Sequence, residues 1–236
     1  MQRTNRKKNE LRKIEIIKNV NLYAEGSCLI KCGNTHVLCT ATVDRHIPDW
    51  LKEQNKGWIT AEYNLLPRST LTRVARDKTL NAGRTQEIKR LIGRSLRAVV
   101  DLEKLQNFQI IVDCDVLQAD GGTRTASITG GFVALYLACQ KLVSTGQLPR
   151  TPIKEFLAAV SCGIKDGELL LDLDYDEDSS ADTDSNFVLT ESGQIVEIQA
   201  TAEGAPFDSD SFAKLLDLAR EGISELINIQ KKTIRG

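Results

Sequence analysis

Histidine is nearly absent from this chain, which has only His36 and His46 among 236 residues. Neither falls in a metal-ligand motif, and a Ser-His-Asp or Cys-His nucleophile system has no credible base here. Net charge is lacking as well: 31 Lys and Arg against 32 Asp and Glu leave −1, so the total does not suggest a polyanion partner. No apolar core follows the basic start as it would in a secretory signal, and no segment reads as long enough to span a bilayer, so no membrane association is expected. Zinc is not indicated either, because Cys28 and Cys32 have the wrong spacing for a knuckle. Cys39, Cys114, Cys139 and Cys162 complete a set that lies mostly in apolar stretches. Buried, reduced thiols in a cytoplasmic protein are the expectation.

Charge is separated along the chain despite the neutral total. A basic arm, residues 1–13, carries Arg3, Arg6, Lys7, Lys8, Arg12 and Lys13 against Glu10 alone. Residues 68–97 add nine more Lys and Arg, while Asp172 to Asp184 is acidic. Such segregation either builds one basic face for nucleic acid or is ordinary solvated charge. The length suits one large domain, residues 1–236, or two closely packed halves.

The hydrophobic periods predict an α+β chain. Ile14–Ile17, Ser27–Ile30 and Thr35–Val43 read as strands, with Gly33-Asn34 as a hairpin turn, and Gly57–Tyr63 as another strand. A loop rich in arginine follows from Pro67. Ile88, Leu91, Ile92, Leu96 and Val99 then mark a helix, and Phe108–Leu117 a strand. Ile128, Phe132, Leu135, Cys139 and Leu142 mark a second helix, in which Gly130-Gly131 calls for a close neighbour. Two hairpins are predicted around Asp166-Gly167 and Ser192-Gly193. Tyr175–Ser185 interrupts the sheet pattern. A last helix starts near Asp208 or Ser209 and buries Phe212, Leu215, Leu216, Ala219, Ile223, Leu226 and Ile227. Each half thus runs from antiparallel strands to a major helix.

Two helix entries carry candidate chemistry. Asp120-Gly121-Gly122-Thr123-Arg124 leads from a strand into a helix, where backbone N–H groups, the Thr123 hydroxyl and the Arg124 guanidinium can converge on an anion. Ser127 either caps this helix or joins the same site. A plain Gly-Gly turn with a surface arginine is the competing reading, since neither a P-loop nor a dinucleotide fingerprint is present. Arg84 and Thr85 open the other helix, where Glu87 is placed to close a cap network. Downstream, Asp178 and Asp184 are candidate proton donors or Mg²⁺ ligands, in competition with Asp172, Asp174, Asp176, Glu177 and Asp182. Trp50, Trp58 and Tyr63 are either base platforms or core aromatics.

The chain resembles the bacterial ribonuclease PH family over nearly its whole length. The matching segments are Gly57–Tyr63, Leu66–Arg68, Gly83–Ile88, Leu91–Val99, Asp113–Ser127, Glu177–Ser179, Thr183-Asp184 and Ala202–Gly204. The resemblance implies a ribosomal protein S5 domain 2-like fold and a homo-hexamer built as a trimer of dimers. It implies phosphorolysis: inorganic phosphate, as co-substrate, shortens RNA 3′ ends and releases nucleoside diphosphates, and the reverse reaction is a nucleotidyl transfer. Transfer RNA precursors are the implied substrates. Arg84, Gly122, Thr123, Arg124 and Ser127 would bind phosphate, and Asp178 and Asp184 would serve as catalytic carboxylates with Mg²⁺. Within the basic loop, residues 67–82, Arg68, Arg73 and Arg76 would hold the RNA body. Two departures stand out: Asn5 replaces the family's usual glycine before Arg6, and Asp77–Ala82 is shorter than its usual loop. A noncatalytic RNA-binding ring subunit is the alternative.

Overall fold

A computed structural model describes residues 3, 6–47, 49–52, 54–76, 78 and 82–236. The first half contains β1 (Ile14–Lys18), β2 (Gly26–Cys32), β3 (Thr35–Asp44), the single turn α1 (Asp49–Lys52), β4 (Trp58–Leu65), α2 (Gly83–Ala98), β5 (Gln109–Gln118) and α3 (Thr123–Ser144). The second half contains β6 (Leu157–Lys165), β7 (Glu168–Leu171), α4 (Tyr175–Asp178), β8 (Thr183–Thr190), β9 (Ile195–Ala202) and α5 (Ser209–Arg235). One mixed sheet has the order β1-β2-β3-β5-β4, with β4 parallel to β5 across the α2 crossover. The other sheet, β7-β6-β8-β9, is antiparallel throughout.

Turn chemistry sets the hairpins. Cys32 pairs with Thr35 around Gly33, whose φ is +56°, and Lys165 pairs with Glu168 around Asp166 and Gly167 at +51° and +75°. In the Asp166-Gly167 turn positive φ at both central residues matches the right-handed twist of the flanking strands, whereas in the first turn only Gly33 takes it.

The helices form a layer between the two sheets. α3 touches β2, β3 and β5 on one side and β6 on the other, while α5 lies against β1, β6 and β7. Ile128, Phe132, Leu135, Cys139 and Leu142 are all buried, as their spacing predicts. A Cβ at Gly130 would stand 2.7 Å from Ile30 Cγ2 and 2.9 Å from Cys39 Sγ, so the glycine is needed for the close approach of sheet and helix. This double burial corrects one expectation from the sequence. α3 is by length and composition apolar enough to cross a bilayer, but 78% of its most apolar stretch is covered by protein. A helix buried on all sides loses its polar face and takes on the composition of a membrane span.

The acidic interruption is also shorter than expected. Asp184 and Ser185 lie inside β8, with Asp184 opposite Gly163 on β6 and Thr201 on β9. Thr183-Asp184-Ser185-Asn186 offers no apolar alternation to read, yet two flanking strands supply its ladder hydrogen bonds.

The arginines of the basic arm do not stand in open solvent. The side chains of Arg3, Arg6 and Arg12 are only 7%, 12% and 8% exposed and pair with Glu177 and Asp172. Part of the second basic cluster is likewise structural: Lys89 pairs with Glu62, Arg94 with Glu197, and Arg97 stacks on Trp58 while donating to the Ile59 carbonyl. Asn5 and, in the loop after Pro67, Asp77, Thr79, Leu80 and Asn81 lie outside the described residues.

Candidate active site

The Gly-Gly turn has a structural reason beyond ligand access. Gly121 and Gly122 have φ of +71° and +64°, a region that strains other residues. A Cβ at Gly121 would lie 2.6 Å from Asp174 C, and one at Gly122 would lie 2.8 Å from Arg12 Nη2. The turn therefore rests on the backbone that leads into α4. Thr35 Oγ1 braces it, donating to the Gly121 carbonyl at 2.7 Å and accepting from Asp120 N at 2.9 Å.

From this turn α3 starts without a side-chain cap, and α2 also starts uncapped at Ala82. Glu87, the fifth residue of α2, closes no cap at Ala82 and accepts instead from Arg124 and Gln199. Both helices thus present partly unsatisfied N–H groups and positive dipole ends. Arg84 is exposed on the first turn of α2, and Arg124 lies half-buried on the first turn of α3. Arg124 Nη1 donates to Gln199 Oε1 on β9 at 2.5 Å and to Glu87 Oε1 at 3.4 Å, which aims the guanidinium. Gln199 also donates to Glu87.

Tyr63 is a core residue, and its hydroxyl reaches the site, sharing a 2.8 Å hydrogen bond with Thr123 Oγ1. Burial raises its pKa, opposed by the Thr123 bond and then by the charges of Arg84 and Arg124. Ser127 is fully buried one turn into α3, where its hydroxyl donates to the Thr123 carbonyl at 2.8 Å. Trp50 is exposed and meets Trp58 edge-on at 4.9 Å.

The fold sorts the acids. Asp172 is buried on Arg12, Glu177 is held by Arg3 and Arg6, Asp174 caps α4, and Asp182 accepts from Asp166 N. Asp178 ends α4, and Asp184 is half-buried near the start of β8. Desolvation raises the Asp178 carboxyl above its ordinary pKa, and the Asp184 charge adds to this. The charges of Arg84, Arg124 and Arg12 act in the opposite direction. Residues from α2, α3, α4 and β8 therefore share one electrostatic environment. Such a group can hold an anion at the helix ends and manage a proton beside it.

Arg68, Arg73 and Arg76 stand on the exposed loop, and the Arg76 charge acts on Asp115 of β5. The base of that loop is fixed by a 2.8 Å bond from Ala119 N to the carbonyl of buried Ser69.

Sequence reading missed the Arg12–Asp172 pair. Arg12 N and Nε donate to Asp172 Oδ2 at 2.8 and 3.0 Å, and Nη2 donates to Oδ1 at 2.7 Å. The available signal was Leu171-Asp172-Leu173, an acid between apolar residues that needs a buried partner. Burial alone would raise the Asp172 carboxyl; the charge and hydrogen bonds of Arg12 overcome this and hold it below the ordinary range. A depressed folded pKa contributes stability above the unfolded value of about 3.9, and that stability is lost as pH falls through the folded one. Asp172→Asn should therefore cost about 3–5 kcal/mol at pH 7 by leaving Arg12 unpaired. Denaturant unfolding should show this deficit shrinking below about pH 4; a deficit independent of pH would count against the ionised pair.

Residues 10–140 match the 3′ exoribonuclease family, domain 1, and residues 155–222 match its domain 2. The chain is 57% identical over 234 residues to the ribonuclease PH of Neisseria gonorrhoeae, covering 98% of this chain and 97% of that one. Identity to the ribonuclease PH of Bdellovibrio bacteriovorus is 55% over 227 residues, with coverage of 96% and 93%. The fold matches a chain of the Archaeoglobus fulgidus exosome with RNA bound to the active site at a TM-score of 0.79 and 26% identity, covering 94% and 89% of the two chains. A mixed sheet, an antiparallel sheet and a helical layer between them, with arginines and carboxylates gathered at the helix ends, define the class. The chain belongs to the ribonuclease PH family of 3′ exoribonucleases, and its α+β architecture is the S5 domain 2-like one.

Proposed function

We propose that this chain is a phosphorolytic 3′-to-5′ exoribonuclease that trims transfer RNA precursors, acting as one unit over residues 1–236. The observation that carries the reading is the meeting of two uncapped helix starts, bearing Arg84 and Arg124, with the Asp178–Asp184 pair. Inorganic phosphate sits against Arg84, Arg124, Thr123 and the backbone at Gly122, while Ser127 shapes the same turn from beneath. One of its oxygens attacks the phosphorus of the last internucleotide linkage. The bond to the penultimate O3′ breaks, a nucleoside 5′-diphosphate leaves, and the RNA is one nucleotide shorter. Two anionic reactants must be brought together, so the arginines and helix ends act on charge that redistributes in the transition state. Asp184 gives the departing O3′ its proton, and Asp178 shares the proton network. Microscopic reversal adds nucleotides from diphosphates.

Among the described residues no cluster of three or more His, Cys, Asp or Glu is placed to hold a metal. Mg²⁺ nevertheless fits two neighbouring carboxylates whose charges repel, because it takes one or two protein carboxylates and completes its shell with water and substrate phosphate. Asp178 and Asp184 would hold it, and it would supply charge compensation between the reactants.

Arg68, Arg73 and Arg76 hold the body of the transfer RNA, and the Ser69–Ala119 bond ties their loop to the Gly-Gly turn. A homo-hexamer, a trimer of dimers, would set several such loops around the substrate, a state that solution mass tests directly. Six buried free thiols favour a cytoplasmic setting.

The deciding experiment incubates 3′-extended transfer RNA with the protein, with and without phosphate. Nucleoside diphosphates appearing only with phosphate are expected. Monophosphates without phosphate would mean hydrolysis, and RNA binding with neither phosphorolysis nor reverse synthesis would mean a noncatalytic ring subunit. Replacing Arg73 and Arg76 with alanine should lower kcat/KM on transfer RNA at least about tenfold, since each phosphate contact carries salt-dependent affinity. A short oligoribonucleotide should be processed almost as before; equal losses on both substrates would remove the RNA-body role.

A further inference from the structure

Arg12 is not among the residues assigned to the reacting phosphate, yet it touches both backbone segments that build the site. On one side its Nη1 donates to the carbonyls of Asp120 and Gly121 at 2.5 and 3.4 Å, directly before the turn that carries Thr123 and Arg124. On the other side its backbone N–H and its guanidinium make three bonds to Asp172. Asp172 has φ of +54°, a left-handed corner at the end of β7 from which the chain enters α4 and reaches Asp178. Ser161 Oγ accepts from Leu173 N at 2.9 Å and fixes the next residue of that corner.

The two segments meet at the glycines, where the turn has no side chain to space it from the facing backbone. Gly121 lies against the Leu173–Tyr175 backbone, and Gly122 lies against Arg12 itself. The guanidinium behind them bonds to both segments. Two further arginines act on α4. Arg3 reaches Glu177 at 2.5 and 2.9 Å and Arg6 reaches it at 2.8 Å, while Glu177 closes the capping box with Asp174. Arg6 also lies 3.6 Å from Asp172. Burying ion pairs is a weak way to gain stability, because desolvation offsets the attraction; fixing register is the better-attested use.

From this we infer that Arg12, locked on Asp172, is a positioning residue that fixes the Gly121-Gly122 turn against α4 and so sets the separation of Arg124 from Asp178, with Arg6 and Arg3 holding the same helix through Glu177. The inference rests on the exoribonuclease reading above. It assigns the basic arm an internal role: its arginines hold the catalytic frame in register.

The test is steady-state phosphorolysis of a short oligoribonucleotide by the full chain, first saturating in RNA with phosphate varied and then saturating in phosphate with RNA varied. Arg12→Lys keeps the charge and loses the planar fork that grips Asp172 and two carbonyls together. Displacement of the turn by a fraction of a residue length should lower kcat/KM for phosphate about 100-fold, with KM for phosphate raised about tenfold and KM for RNA unchanged. Gln230→Leu calibrates lost stability alone, because Gln230 staples α5 to the Thr129 and Leu157 carbonyls. It should lower the melting temperature and leave KM for phosphate where it was.

An Arg12→Lys protein with wild-type KM for phosphate overturns the inference, whatever its melting temperature. Should that variant not fold, Arg6→Met loosens the same carboxylate cluster from a less buried position. A rise of at least about threefold in KM for phosphate is expected there, and no change overturns the inference equally. A wild-type protein that forms no nucleoside diphosphate removes the exoribonuclease reading first, so the two failures are distinguishable.

Discussion

Arg124→Ala should lower phosphate-dependent kcat/KM on a short oligoribonucleotide about 100- to 1,000-fold, the range for removing one donor aimed at developing charge. The guanidinium stands on the first turn of α3, held by Gln199 and Glu87 through Nη1. Its loss leaves the helix start and the Gly-Gly turn in place while taking away a fixed positive charge. Stability should change little, because the pair with Glu87 is long at 3.4 Å and half-exposed on the Glu87 side, and such pairs contribute about 0–1 kcal/mol. Arg124→Lys should recover only part of the rate, since an ammonium has no planar fork for a phosphate edge. Raising phosphate should rescue Arg124→Ala partially if the arginine binds the nucleophile. A variant with wild-type rate and wild-type phosphate dependence would take Arg124 out of the site.

Asp184→Asn should cost about 100- to 10,000-fold in kcat, the range for a positioned general acid. The substitution keeps the shape of the side chain and the β8 ladder to Gly163 and Thr201, so KM for RNA should move little. A substrate in which sulfur replaces the bridging O3′ separates proton donation from other roles. A thiolate leaves without a proton, so Asp184→Asn should approach wild-type turnover on that substrate, while Arg124→Ala should remain slow. The same loss on both substrates would assign Asp184 to charge or metal work instead. Asp178 then becomes the comparison, because desolvation and the neighbouring Asp184 charge already raise its carboxyl.

The regular elements were legible because each buries one face or fills one turn. The α2 stripe of Ile88, Leu91, Ile92 and Leu96 is entirely buried, and the Asp166-Gly167 turn pairs the strands around it as its φ angles require. Legibility failed where the signal was not periodic. The start of β8 is polar and takes its pairing from two neighbours, so no local pattern announces a strand at Asp184. α3 conceals the opposite problem: with 78% of its most apolar stretch covered by protein, it has no continuous polar stripe there to separate it from a bilayer span.

For the site, the residues alone marked two helix starts with arginine and an acidic segment, and ordered similarity to a family tied them together. Sequence could not choose among the seven acids between Asp172 and Asp184, because all have the same chemistry in an unfolded chain. Folding separates them by partner. Arg12 reaches Asp172 across 160 residues, Arg3 and Arg6 reach Glu177, and Asp174 turns to its own helix N-terminus. What the sequence determined by itself was the set of elements and the kinds of charge available, since both follow from local pattern and composition. Only the tertiary structure decided which charges meet, because pairing depends on distances between segments that no local pattern encodes. For that reason the arginines that read as solvated or RNA-facing charge form, in the folded chain, a buried clamp behind the site.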